Sequence, residues 1–133
     1  MDPRPKPRVA VLNTSPDFID VLTEILDMEG FETRSDYIIE FRTGRKDPRS
    51  FFAAHAPQVV VYDVAIPYME NWSFFKHIQT LSGLQPYQFI AVTTNKAALE
   101  TFVGPTECLE IIGKPFDFDA LIHAIRRSLD DGQ

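Results

Sequence analysis

Three short apolar runs, at residues 9–12, 59–62 and 89–92, and a fourth, mostly apolar segment at 109–112 that includes Glu110, are separated by longer segments whose apolar residues recur at helical spacing. The runs read as buried strands, and 59–62, with four consecutive β-favouring residues, reads as the central one. After the first run, Ser15, Pro16 and Asp17 suit a helix start: Ser15 as cap, Pro16 at the first helical position, Asp17 complementing the positive end of the dipole. Phe18, Ile19, Leu22, Ile25 and Leu26 continue that helix and Gly30 ends it. Residues 31–35 are expected to form a second strand near the sheet edge. The spacing predicts a helix over 71–81 with Trp72, Phe75, Ile78 and Leu81 inward, and a weaker one over 95–103 stopped by Gly104 and Pro105. Asp117 is expected to cap a final helix whose Leu121, Ile122, Ile125 and Leu129 face the core. Residues 37–57 are the least patterned, with an apolar pair at Ile38 and Ile39, a turn at Thr43 and Gly44, and a short helix around 49–55.

Alternating strands and helices with right-handed crossovers describe an α/β domain: a three-layer, doubly wound (flavodoxin-like) five-stranded parallel sheet. In such sheets chemistry collects at the carboxyl ends of the strands. Four polar residues stand there: Asn13, Asp63, Thr93 and Lys114. With the strand order 2-1-3-4-5, the loops after strands one and three flank the crevice.

A length of 133 residues and 44% hydrophobic content, with eleven Phe, suit one domain at 9–130, preceded by an extended Pro-rich basic leader at 1–8 and followed by a tail at 131–133. The net charge of −6 argues against general attraction to nucleic acid or an anionic membrane. Arg42, Arg45, Lys46 and Arg49 are expected to be an ordinary solvated loop. Cys108 is the only cysteine, which excludes an internal disulfide and suits a reducing compartment; it reads as a packing residue. No run is long enough to cross a bilayer, and a cytoplasmic location is expected. His55, His77 and His123 have no Cys or carboxylate at ligand spacing and read as surface or helix-face residues.

In this order and at these strand ends, the residues resemble the receiver domain of response regulators in two-component signal transduction. Residues 59–67 are similar to the family's phosphoacceptor strand and loop, with Asp63 as acceptor and Pro67 four residues on. Thr93 matches the hydroxyl residue ending strand four, and Lys114, Pro115 and Phe116 match a signature in which the Lys-Pro bond is usually cis. The resemblance implies order 2-1-3-4-5 and phosphoryl transfer from a histidine kinase or phosphotransfer protein to Asp63. Lys114 would then neutralise phosphoryl oxygens and Thr93 would donate a hydrogen bond to one. It implies a downstream protein partner or a fused effector domain, and leaves a homodimer open. It implies no enzymatic activity of its own, no organic cofactor, and no direct binding to nucleic acid or membrane.

The chain departs from the pattern where the family places two carboxylates after strand one: these positions are Asn13 and Thr14. A weak Mg²⁺ site is therefore expected, built on Asp63 and the Ala65 carbonyl with Asn13 and Thr14 in place of the acidic pair, and phosphorylation is expected to be slow. Asp17 stands too far into the first helix to be an obvious substitute. Thr94 narrows access where the family often has Ala or Gly, Ile111 lacks the aromatic lever of many receivers, and Asn71 stands where many carry Gly. A flavin-binding reading fails for want of Gly in the loop at 13–17, and an Asp-nucleophile phosphatase would carry a second Asp where Ala65 stands. Two functions follow: a phosphoacceptor signalling domain that changes the surface of helix 95–103, strand five and the last helix, or a degenerate pseudo-receiver acting as a phosphorylation-independent protein-interaction module.

Overall fold

The structure, a computed structural model, describes residues 6–14, 16–93, 95–104, 110–113 and 118–131, of which 16–18, 110–113 and 131 are described by their backbone alone. Strands β1 (Arg8–Asn13), β2 (Glu32–Tyr37), β3 (Val59–Asp63), β4 (Phe89–Thr93) and β5 (Glu110–Gly113) form one parallel sheet in the order β2-β1-β3-β4-β5. Its helices are α1 (Pro16–Met28), α2 (Ile38–Arg42), α3 (Pro48–His55), α4 (Tyr68–Ser82), α5 (Lys96–Val103) and α6 (Phe118–Asp131). The fold class expected from the pattern, and the strand order implied by the resemblance, are those observed.

The uninterrupted apolar runs have a direct cause. Successive strand side chains point to opposite faces, so a strand covered on both sides is apolar along its inner positions, with polar residues left to its ends. Ala10, Leu12, Val60, Tyr62, Phe89 and Ala91 enter one core with Phe75 and Ile78 of α4, Leu99 of α5, and aromatic residues of α2 and α3. Val9, Val11, Val59, Val61, Ile90 and Val92 enter the other, against Ile19, Leu22 and Leu26 of α1 and Leu121, Ile122 and Ile125 of α6. Of the stripe expected on α4, Phe75 and Ile78 are fully buried, while Trp72 and Leu81 are half-buried. β2 is one of the two edge strands, and only Thr33 and Asp36 of its six residues are buried.

The weakly patterned stretch contains one element the pattern did not single out. α2 is five residues long, and it exists because Ile38 and Phe41, three apart, are both buried in the core cluster that also holds Phe51 and Phe52 of α3. The Phe41 and Phe51 rings meet edge to face with centroids 5.5 Å apart. α3 starts one residue before the expected range: Asp47 Oδ1 accepts from Arg49 N at 3.0 Å, and Pro48 takes the first turn. It ends where Ala56 turns left-handed at φ 44°.

Two expectations about charge are corrected. Arg8 is the first residue of β1 rather than leader, its Nε donating to Ala56 O at 2.7 Å and its backbone N to Gln58 Oε1 at 3.0 Å. The basic cluster is solvent-exposed, as expected, and the correction is that three of its four members are paired. Arg42 donates to Asn71, Arg45 lies 3.7 Å from Glu40, and Lys46 Nζ lies 2.8 Å from Asp36 Oδ2. Asp36 is nearly buried at the end of β2 and also accepts from its neighbour Tyr37 N, so a cation from the next turn closes over it.

That pair raises the pKa of Lys46 above its ordinary 10.5, first through the hydrogen bond to Asp36 and then through its charge. A raised lysine contributes stability below its unfolded-state pKa and loses it as pH climbs through the folded-state value. Lys46→Met is therefore expected to be less stable than the parent at neutral pH, the difference shrinking above about pH 10.5. Urea unfolding of both proteins along an alkaline series measures it; a difference constant with pH would contradict the pairing. Among the described residues, no helix is long and apolar enough to cross a membrane.

Candidate functional site

The carboxyl ends of β1, β3 and β4 bring three of the singled-out residues to one rim. Asn13 ends β1, Asp63 ends β3 and Thr93 ends β4, and all three side chains are buried. The register fixes their heights: Leu12 pairs with Tyr62, Asp63 with Val92, and Thr93 with Gly113, the residue before Lys114. Lys114, Pro115 and Phe116, with Thr94 and Cys108, lie outside the described residues, as do Ser15 and Asp117. Nothing is described of the side chains of Asp17 and Ile111.

Asp63 is 4% exposed, and its Oδ2 accepts the Thr14 hydroxyl at 2.7 Å. That is a short bond of the kind a carboxylate favours. Thr14 is placed by the turn after β1, where its backbone N donates to Asn13 Oδ1 at 2.7 Å. Asn13 thus spends its side-chain oxygen on shaping the loop, and Thr14 spends its hydroxyl on the acceptor.

The loop after β3 carries the second feature. The Ala65 carbonyl accepts from Asn71 Nδ2 at 2.8 Å, and Asn71 Oδ1 in turn accepts from Arg42 Nη2 at 2.6 Å. The Arg42 guanidinium carbon sits 5.0 Å from the centre of the Phe74 ring, a cation–π distance. In the sequence, Asn71 stands out as the start of the helix expected over 71–81 and as a departure from the family's Gly, and Arg42 as part of a solvated basic loop. The amide spacing from Ala65 was visible, but the partner on α2 lay in the stretch with no periodic signal. The Ile66–Pro67 peptide bond is cis, and the Lys-Pro bond for which that geometry was expected is not described.

On the other side, Thr93 Oγ1 lies 3.4 Å from the Tyr68 hydroxyl, which also donates at 3.4 Å to Asn95 O. Both contacts are long, at the weak end of hydrogen bonding. Tyr68, the first residue of α4, was not singled out by the sequence. Tyr62 runs into the apolar core below the rim, where burial pushes its phenol well above the ordinary value and keeps it neutral.

Magnesium prefers six oxygens in near-octahedral array and usually enters through one or two carboxylates. Here two residues in the expected set are neutral, Asp63 Oδ2 accepts a hydrogen bond from the Thr14 hydroxyl, and the Ala65 oxygen accepts one from the Asn71 amide. This donor set does not fit the ion. Among the described residues, no group of three or more His, Cys, Asp or Glu stands at metal-binding separation.

No family model matches the chain, and no curated relative matches its sequence. Solved structures do match its shape. A sensor protein from Polaromonas sp. JS666 is similar over 96% of this chain and 98% of its own, with TM-score 0.70 and 18% identity. A CheY-like response regulator receiver domain protein from Methanospirillum hungatei JF-1 matches over 95% of each chain, with TM-score 0.68 and 19% identity. A CheY-like receiver domain from Methylobacillus flagellatus matches over 92% of this chain and 98% of its own, with TM-score 0.66 and 17% identity. At these identities the likeness is one of fold, and it covers most of the chain. With the β2-β1-β3-β4-β5 sheet and the acidic residue ending its central strand, the chain has the CheY-like fold of response-regulator receiver domains.

Proposed function

We propose that the chain is a receiver-type module of two-component signal transduction that acts as a protein-interaction surface with little dependence on phosphorylation. The observation that supports this reading best is the Thr14 hydroxyl on Asp63 Oδ2 at 2.7 Å. A phosphoacceptor needs an oxygen lone pair facing its donor and positive charge to neutralise the incoming group. Asp63 is almost closed off, one oxygen is engaged, and the two residues after the first strand bring no charge to hold a metal. Its partners in this reading are proteins: a histidine kinase or phosphotransfer protein, and a downstream effector.

The second reading, slow phosphoacceptance on Asp63 with weak Mg²⁺ assistance, is favoured by the placing of Asp63 and Thr93 on the neighbouring strands β3 and β4 at the same rim. Thr93 would then hydrogen-bond the phosphoryl group and Lys114 would neutralise it. Incubation with acetyl phosphate and Mg²⁺ followed by intact-mass measurement separates the two. The expected result is no adduct under conditions that label an ordinary receiver. An adduct of one phosphoryl group that disappears in Asp63→Asn would replace the first reading with the second.

A further inference from the structure

We propose that Arg42 and Asn71 form an internal clasp that closes the Asp63 rim to divalent cations, making Asn71 the residue that determines cation exclusion. The inference rests on reading Asp63 as the occupant of the receiver acceptor position, but its test involves no phosphoryl group.

The mismatch with magnesium has two separable parts. One is the loss of charge at Asn13 and Thr14, visible in the sequence. The other appears only in the fold: one of the two lone pairs of the Ala65 carbonyl, the backbone oxygen a cation would share with Asp63, is engaged by Asn71 Nδ2 at 2.8 Å. An amide can rotate away from a single weak partner. Asn71 is held at both ends, because its Oδ1 takes a charge-assisted bond of 2.6 Å from Arg42 Nη2. The guanidinium is itself kept in place over the Phe74 ring. The Asn71 N–H is therefore held towards Ala65, and an arriving cation has to share that oxygen with a bound N–H, with the positive charge of the solvent-exposed Arg42 behind it.

Polar groups that orient a ligand atom commonly change metal affinity by about tenfold to a hundredfold when removed. The same size is expected here with the opposite sign, since this contact competes for the ligand atom. The clasp also ties α2 to the acceptor loop, which gives the short helix a role beyond packing.

Free Mn²⁺, counted by electron paramagnetic resonance during titration, serves as the probe. Asn13→Asp with Thr14→Asp restores the acidic pair and removes the Thr14 donor. Adding Asn71→Ala to that pair is expected to tighten Mn²⁺ binding by at least about tenfold. Arg42→Met on the same background releases the clasp from its far end, leaves Ala65 and Asn71 in place, and is expected to give a smaller gain. It keeps the test decisive should the Asn71 variant fail to fold. Equal affinity with and without the clasp would overturn the proposal, as would a parent protein that binds Mn²⁺ at Asp63 as tightly as the unclasped variant. The phosphorylation outcome above is read on the parent protein and stands or falls separately.

Discussion

Phe75→Ala is expected to cost about 3–5 kcal/mol of folding stability, the range for emptying a buried aromatic site. The ring is fully buried, and its centroid lies 4.7 Å from that of Tyr62, 5.0 Å from Trp72 and 5.7 Å from Phe89. Truncation removes the junction between α4 and the centre of the sheet, where β3 and β4 contribute Tyr62 and Phe89. Rings that cannot rotate into the gap leave a cavity, so the loss exceeds simple transfer. The effect reaches the rim as well, because α4 also carries Tyr68 and Asn71. Urea unfolding followed by Trp72 fluorescence measures it, with a lower midpoint at unchanged slope as the expected signature. A loss below about 1 kcal/mol would mean that the core on this face is not packed as described.

Ile125→Ala, on the opposite face, is expected to cost about 2–5 kcal/mol. Ile125 is fully buried on α6 in the cluster with Leu22 and Leu26 of α1 and Val61 and Val92 of the sheet. The two substitutions empty different cores with the sheet between them. Mutations that share no partner add within about 0.5 kcal/mol, so the double variant is expected to lose nearly the sum. A clear departure from additivity in a double-mutant cycle would show that the sheet transmits strain between its faces. Because the sum approaches the whole stability of a typical domain, the cycle is best read at low denaturant and low temperature.

The legible parts of the fold were those where a single physical demand acts on every residue. Strands β1, β3 and β4 are covered on both faces, so their inner positions had to be apolar and the runs stood out. α1 and α6 lie over one face and show it in Leu22, Leu26, Leu121 and Ile125 at helical spacing. α2 has only two buried residues in five and no period long enough to detect. α3 begins at Pro48 behind the Asp47 cap, one residue before the expected 49–55, a start of the same kind as Ser15 and Pro16.

At the rim, the sequence by itself determined which groups are available: one carboxylate ending the central strand, hydroxyls at Thr14 and Thr93, and neutral side chains where an acidic pair would hold a metal. Only the tertiary structure decided how those groups are spent. The Thr14 hydroxyl rests on Asp63, and the Ala65 carbonyl rests on an amide that Arg42 holds from a different helix. The reason is geometric. Strand ends are positioned by local periodicity and burial, which neighbouring residues encode. A hydrogen bond between residues 29 or 49 positions apart depends on distances that exist only once the sheet has brought its loops together.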